Sequence, residues 1–144
     1  MNVLFVCVGN SGRSVMAERL FRRAAEGRHE ARSAGAAASG DSAEPVVVEA
    51  LKEIGVDASD HVPRQLDEEA LAWADVAVTV CRDDVCPATP GVRQIHWGFD
   101  DPWGRPIEDV RVMRDGILEA VERLVVDLRS VPAPIGVQPP CPDQ

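Results

Sequence analysis

Apolar and polar positions follow two rhythms along this chain, and each change of rhythm marks a new element. The unbroken apolar run Val3-Leu4-Phe5-Val6 reads as a buried strand over residues 1–7. Beyond a glycine-bearing loop, apolar residues return at helical spacing and predict a helix over 13–26. A second strand is predicted over 31–34, followed by a loop of small residues over 35–42. Helical spacing resumes over 43–54, with Asp41 or Ser42 as its cap and Gly55 as its stop. A short helix over 67–74, strands over 75–80 and 92–96, and a closing helix over 106–129 complete the pattern. In that last helix Val110, Met113, Ile117, Val121, Leu124 and Leu128 recur every three or four residues, which marks a core-facing stripe. Strands alternating with helices predict a parallel sheet covered on both faces, and no segment repeats.

Composition narrows the class. With 144 residues and 45% hydrophobic content, one domain over 1–130 can bury a proper core. The tail over 131–144 holds Pro132, Pro134, Pro139, Pro140 and Pro142 with little apolar mass, so it is expected to lie outside that core. No apolar run approaches the ~20 residues that span a bilayer, and the first residues lack a leader's charged region and cleavage site. A cytoplasmic monomer is expected, and the net charge of −9 argues against nucleic-acid and anionic-membrane partners. An anionic substrate must then be drawn by a local field.

The segment Cys7-Val8-Gly9-Asn10-Ser11-Gly12-Arg13-Ser14 supplies one. A thiol leaves the end of a strand and a helix opens six residues later, so unpaired N–H groups and the positive end of the helix dipole meet at the loop. Gly9 and Gly12 let the backbone curl inward, Arg13 offers a planar fork that binds two oxygens at once, and Ser14 can donate to the sulfur. Such surroundings favour the thiolate, the nucleophilic form. A lone Cys after a strand is more often an inert core residue. Inert Cys, however, has no need of two glycines, an Arg and a helix start at fixed spacing.

The stretch VLFVCVGNSGRSVMAE over 3–18 resembles the signature of the low-molecular-weight protein tyrosine phosphatase superfamily, which includes the thioredoxin-coupled arsenate reductases. The implied fold is a doubly wound α/β domain with a four-stranded parallel sheet of order 2-1-3-4, the ligand loop lying at the switch point after the first strand. The resemblance implies an oxyanion substrate held by Val8, Gly9, Asn10, Ser11, Gly12, Arg13 and Ser14.

Downstream residues separate the two branches. Ester hydrolysis needs one thiol, whereas reduction of arsenate needs more, and Cys81 and Cys86 follow the third predicted strand. Cys81 is placed to attack the Cys7–arsenic adduct, and Cys86 to carry the disulfide outward to an external dithiol, thioredoxin, with no bound cofactor. Residues five apart on a helix lie roughly 8–9 Å apart, beyond the ~7 Å reach of a disulfide, so this segment is non-helical when oxidised. A zinc site would require four ligands, and only His96 is near in sequence, so no metal is expected. The run His96-Trp97-Gly98-Phe99-Asp100-Asp101-Pro102 closely resembles the reductase branch. By that resemblance Asp101 is the general acid for the departing oxygen, although Asp-Pro alone marks an ordinary turn.

Several positions depart from the family pattern. Gly12 stands where both branches often carry a second Cys, and the Cys81 to Cys86 spacing is about two residues shorter than the reductase spacing. Some reductases bind potassium through residues matching Asn10, Glu18, Ser33 and a downstream Asp; here the last is Arg64, whose guanidinium could supply the charge, so no potassium site is expected. Glu18 and Ser33 are expected to support Asn10 and so the cradle's shape. Trp103 matches a phosphatase aromatic and favours the alternative, a tyrosine phosphatase. A non-catalytic oxyanion sensor and a mycothiol-dependent reductase are the other readings, opposed by Asp101 and by the two extra thiols respectively. His61 reads as a hydrogen-bonding loop residue, His29 as exposed, His96 and Trp97 as positioning the acid loop, and Cys141 as an incidental thiol.

Overall fold

A computed structural model describes residues 1–82 and 89–130. Cys86, Cys141 and the tail therefore lie outside the described residues. Four strands, β1 (Asn2–Cys7), β2 (Glu30–Gly35), β3 (Val76–Val80) and β4 (Arg93–Trp97), form one parallel sheet in the order β2-β1-β3-β4. The expected topology is borne out. Among the described residues four helices accompany them: α1 (Arg13–Ala25), α2 (Pro45–Lys52), α3 (Glu68–Trp73) and α4 (Ile107–Ser130). Among the described residues no helix is long and apolar enough to cross a membrane.

The two sheet faces are unequal. Alternate residues of β1 and β3, Val3, Phe5, Val76, Val78 and Val80, point into the main core with Val15, Leu20 and Phe21 of α1 and the predicted stripe of α4. The opposite face, Leu4, Val6 and Ala34, is covered by Leu66, Ala70, Leu71 and Trp73 in and around α3. That both faces of β1 are buried explains its unbroken apolar run.

Helix boundaries follow local chemistry. At the end of α1, Glu26 and Gly27 take left-handed backbone, which closes the last turn. The expected cap of α2 at Asp41 or Ser42 is not what stands there: the helix begins later, with Glu44 at the cap and Pro45 in its first turn. Proline's fixed φ and missing N–H suit that position better than a polar side chain upstream. Asp67 caps α3 by accepting the Ala70 N–H at 2.8 Å. The far end of α2 is tied to α4 by Glu53, which accepts hydrogen bonds from Arg111 and Arg114; the Arg111 bond leads in holding the Glu53 carboxyl down at about 2. His29, expected to be exposed, is half-buried, with Nδ1 3.1 Å from the N-terminal amine and its ring against Phe21.

Candidate active site

Because β1 ends at Cys7 and α1 begins at Arg13, residues 8–12 must turn the chain through a tight loop at the carboxyl edge of the sheet. Every carbonyl from Cys7 to Gly12 is tied back. Cys7, Val8 and Gly9 accept the N–H groups of Ala36, Ala37 and Ser39 at 3.0, 2.8 and 3.3 Å. The Asn10 carbonyl lies 2.8 Å from His61 Nε2, which must donate because a carbonyl only accepts. Ser11 accepts from Glu44 N at 2.9 Å, and Gly12 from Met16 N at 3.0 Å. With the acceptors turned outward, Asn10 in left-handed backbone and no side chain capping α1, the N–H groups of the loop other than Asn10's, and those of the first helical turn, are left for a ligand.

The thiol sits at the centre of this cradle. Cys7 is a free, buried cysteine whose Sγ lies 2.9 Å from Ser14 Oγ and accepts the Asn10 N–H at 3.3 Å. Asn10 Nδ2 donates to Ser14 Oγ at 2.9 Å, so the serine's own proton is left for the sulfur. Two donors thus converge on Sγ, the arrangement an anionic sulfur requires. Asn10 is fixed in turn by the Arg64 N–H, which reaches its Oδ1 at 2.8 Å.

Arg13 and Asp101 close the site. The buried Arg13 donates from Nη1 to the Phe99 carbonyl at 3.0 Å, and its Nη2 is 4.0 Å from Asp101 Oδ2. Asp101 is 60% exposed and accepts the Trp103 N–H, so its carboxyl is held at the entrance with access to solvent. A cavity of about 190 Å³ is lined by Cys7, Val8, Gly9, Ser11, Gly12, Arg13, Ala37, Ser39, Glu44, Asp101 and Trp103. Of the predicted residues, Cys7, Val8, Gly9, Ser11, Gly12, Arg13 and Asp101 meet there, while Asn10 and Ser14 are not among the lining residues and instead bond to the Cys7 sulfur and to each other. Ser39 and Glu44 were not foreseen, since they arrive from the segment after β2 through backbone bonds that no local motif announces. Gly12 has a steric reason: a Cβ there would come 2.8 Å from Pro102 Cγ and 3.0 Å from Glu44 Oε2.

Other expectations need correcting. Glu18 and Ser33 make no bond to Asn10; Ser33 Oγ donates to Glu18, and Arg22 pairs with the same carboxylate. The guanidinium groups that pair with Glu18 are therefore those of Arg22, one helical turn on, and Arg19, at 4.0 Å, while Arg64 lines a cavity shared with all three and serves the loop through its backbone. His61, expected as a hydrogen-bonding loop residue, makes its bond to the cradle itself at the Asn10 carbonyl, and its burial pushes its pKa down, which favours the neutral ring. His96 Nδ1 lies 3.0 Å from Thr79 Oγ1, and Trp97 packs on Phe5, so both anchor the strand that leads to the acid loop. Among the described residues no group of three or more His, Cys, Asp or Glu could hold a metal ion.

Cys81 directly follows β3, which neighbours β1 with Val6 opposite Thr79. Cys7 and Cys81 thus leave the same edge of adjacent strands, which run roughly 4.8 Å apart. Cys81 is fully buried, donates its N–H to the Trp97 carbonyl at 3.2 Å, and is disulfide-bonded.

Gly35 carries the strictest packing constraint. It lies opposite Cys7 in the β1–β2 register, and a Cβ there would come 2.5 Å from the Val8 carbonyl oxygen and 2.8 Å from Asn10 N, both backbone atoms. Replacing Gly35 with Ala is expected to cost about 1–3 kcal/mol of stability in a denaturant titration. Turnover at saturating substrate should also fall about tenfold, as the loop is pushed off its geometry.

Comparison with known proteins agrees with this geometry. A family model described as low molecular weight phosphotyrosine protein phosphatase matches residues 2–131. An arsenate reductase of Brevibacillus brevis is 42% identical over 118 residues, 80% of this chain and 87% of that protein. The crystal structure of an arsenate reductase from Archaeoglobus fulgidus superposes with a TM-score of 0.78 at 35% identity, covering 86% of this chain and 98% of that one. A thioredoxin-dependent arsenate reductase of Corynebacterium glutamicum superposes with a TM-score of 0.70 at 31% identity, over 88% of this chain and 62% of that one.

Proposed function

The chain belongs to the low molecular weight phosphotyrosine protein phosphatase family, and on that footing we propose that it reduces arsenate to arsenite, passing electrons through its own cysteines. The observation that carries this reading is the pairing of a free Cys7, inside a cradle whose carbonyls all face away, with a second sulfur at the end of the neighbouring strand. The Brevibacillus and Archaeoglobus relatives, both arsenate reductases, support it.

The Cys7 thiolate attacks arsenic, forming a sulfur–arsenic bond, and one oxygen leaves as water with a proton from Asp101. Arg13 and the loop N–H groups hold the remaining oxygens as charge builds on them. Cys81, as thiolate, then attacks Cys7 Sγ. A disulfide forms, the sulfur–arsenic electron pair passes to arsenic, and arsenite departs. Cys86 attacks Cys81, releasing Cys7 and leaving a Cys81–Cys86 disulfide for an external dithiol to reduce by exchange. That Cys7 is free while Cys81 is disulfide-bonded supports this order of steps. The Corynebacterium relative supports thioredoxin as that dithiol, and thiols of this kind belong to a reducing, cytoplasmic setting. The relay as proposed uses no bound cofactor.

The test is multiple-turnover reduction of arsenate with thioredoxin, thioredoxin reductase and NADPH, followed by NADPH loss. Sustained, arsenate-dependent oxidation is expected. Oxidation no faster than without the protein would sink the reading. A second reading, hydrolysis of phosphate monoesters, is favoured by Trp103, which is 75% exposed at the rim of the Cys7 cavity where an aryl leaving group would lie. It would need only Cys7, Arg13 and Asp101.

A further inference from the structure

Glu44 lies outside the relay, yet its carboxyl lines the cavity of Cys7. It occupies the cap position of α2 without capping that helix, and Pro45 leaves the next residue with no N–H to accept. Its backbone N–H is bound to the Ser11 carbonyl at 2.9 Å, which fixes the residue to the catalytic loop. The residue is half-buried, and its Oε2 lies 3.0 Å from where a Cβ at Gly12 would stand.

The charges around it are mixed. Asp101 faces it from the loop after β4, and Arg13 faces it from the start of α1. Cys7 shares the cavity from the end of β1, while His61 touches the loop through the Asn10 carbonyl and is not among the residues that line the cavity. Burial first, and the like charge of Asp101 second, raise the Glu44 pKa against the smaller opposing effects of Ser11 and Arg13. An oxyanion entering the cavity adds a further negative charge beside this carboxyl, and an ionised group could only repel it. A neutral carboxylic acid could instead donate.

We propose that Glu44 is a second substrate-contacting carboxyl group that binds the oxyanion as its neutral acid, donating a hydrogen bond, so that each tetrahedral oxyanion enters the cavity together with one proton. The proposal rests on the oxyanion-cradle reading above and extends it to the protonation state in which the cradle accepts its ligand. The sign follows from linkage: below the Glu44 pKa the acid is already neutral and binding is flat with pH. Above it, binding must take up a proton and weakens as pH rises.

Sulfate tests this, because its charge does not change near neutrality, and the Cys7→Ser protein removes both turnover and thiol titration. Sulfate dissociation constants would be measured by calorimetry between about pH 5 and pH 8, in Cys7→Ser alone and combined with Glu44→Gln or with Asp101→Asn. In Cys7→Ser the constant is expected to rise about tenfold per pH unit above the Glu44 pKa. Adding Glu44→Gln should flatten the profile to within about twofold, whereas adding Asp101→Asn should keep the slope. A slope that survives Glu44→Gln, or one that vanishes with Asp101→Asn, would overturn the proposal. Absence of sulfate binding in all three proteins at every pH would overturn the cradle reading itself.

Discussion

Replacing Arg13 with Lys is expected to lower kcat/KM for arsenate by about three orders of magnitude while the protein stays folded. The guanidinium does three things at once that an ammonium cannot. It is buried with Nη1 bound to the Phe99 carbonyl at 3.0 Å and Nη2 4.0 Å from Asp101, so it ties the acid loop to the catalytic loop. Its planar fork still has donors for two oxygens of the substrate, whereas a lysine is a single point charge on a flexible stem. Loss of one preorganised donor to a developing oxyanion costs about 10²–10³ in rate, and loosening the loop that carries Asp101 adds to it. The fold should lose no more than the roughly 1–3 kcal/mol of one unsatisfied carbonyl. Steady-state kinetics beside a denaturant titration would check both. A lysine protein within tenfold of the original would show that charge alone suffices and that the fork geometry is not used.

How far the sequence could be read depended on whether a feature was local. The apolar run of β1 and the three-to-four repeat of α4 each declare one element by their own residues, and both stand where they were expected. Cys7, Arg13 and Ser14 were legible for the same reason, since strand end, loop and helix start are contiguous. The start of α2 misled because Asp41 and Ser42 are better capping types than Glu44, and Pro45 set the boundary instead. What could not be read was register. Gly35 looks like an ordinary strand-end glycine until β2 pairs it with Cys7, and only then does it become the one residue small enough to lie beneath Val8 and Asn10. Glu44 and His61 reach the loop across 33 and 51 residues of chain, by a backbone N–H and a ring nitrogen whose partners are carbonyls. Carbonyls carry no sequence signature. The assignment of Glu18 and Ser33 to Asn10 failed for a different reason: the two side chains bond to each other, and Glu18 also pairs with Arg22 one turn along α1.

A Cys81→Ser protein is expected to lose multiple-turnover arsenate reduction by about a thousandfold or more, while hydrolysing p-nitrophenyl phosphate within about threefold of the original rate. The two reactions share their first step, attack by Cys7 inside the cradle, and they share Arg13 and Asp101. They part at the second. Water can resolve a phosphorylated Cys7 without any other thiol, but the arsenic adduct gives up arsenite only when a second sulfur takes Cys7 and leaves the bonding pair on arsenic. A serine hydroxyl at position 81 cannot do this, being a far weaker nucleophile toward sulfur than a thiolate. The substitution removes the disulfide at Cys81 but keeps the backbone in place: Cys81 lies beyond the end of β3, and serine retains its N–H bond to the Trp97 carbonyl at 3.2 Å. The two assays on one protein therefore separate the chemistry of the loop from the chemistry of the relay. Loss of both activities would mean that Cys81 supports the fold of the site, and undiminished arsenate turnover would mean that the electrons leave Cys7 by another route, such as a small external thiol.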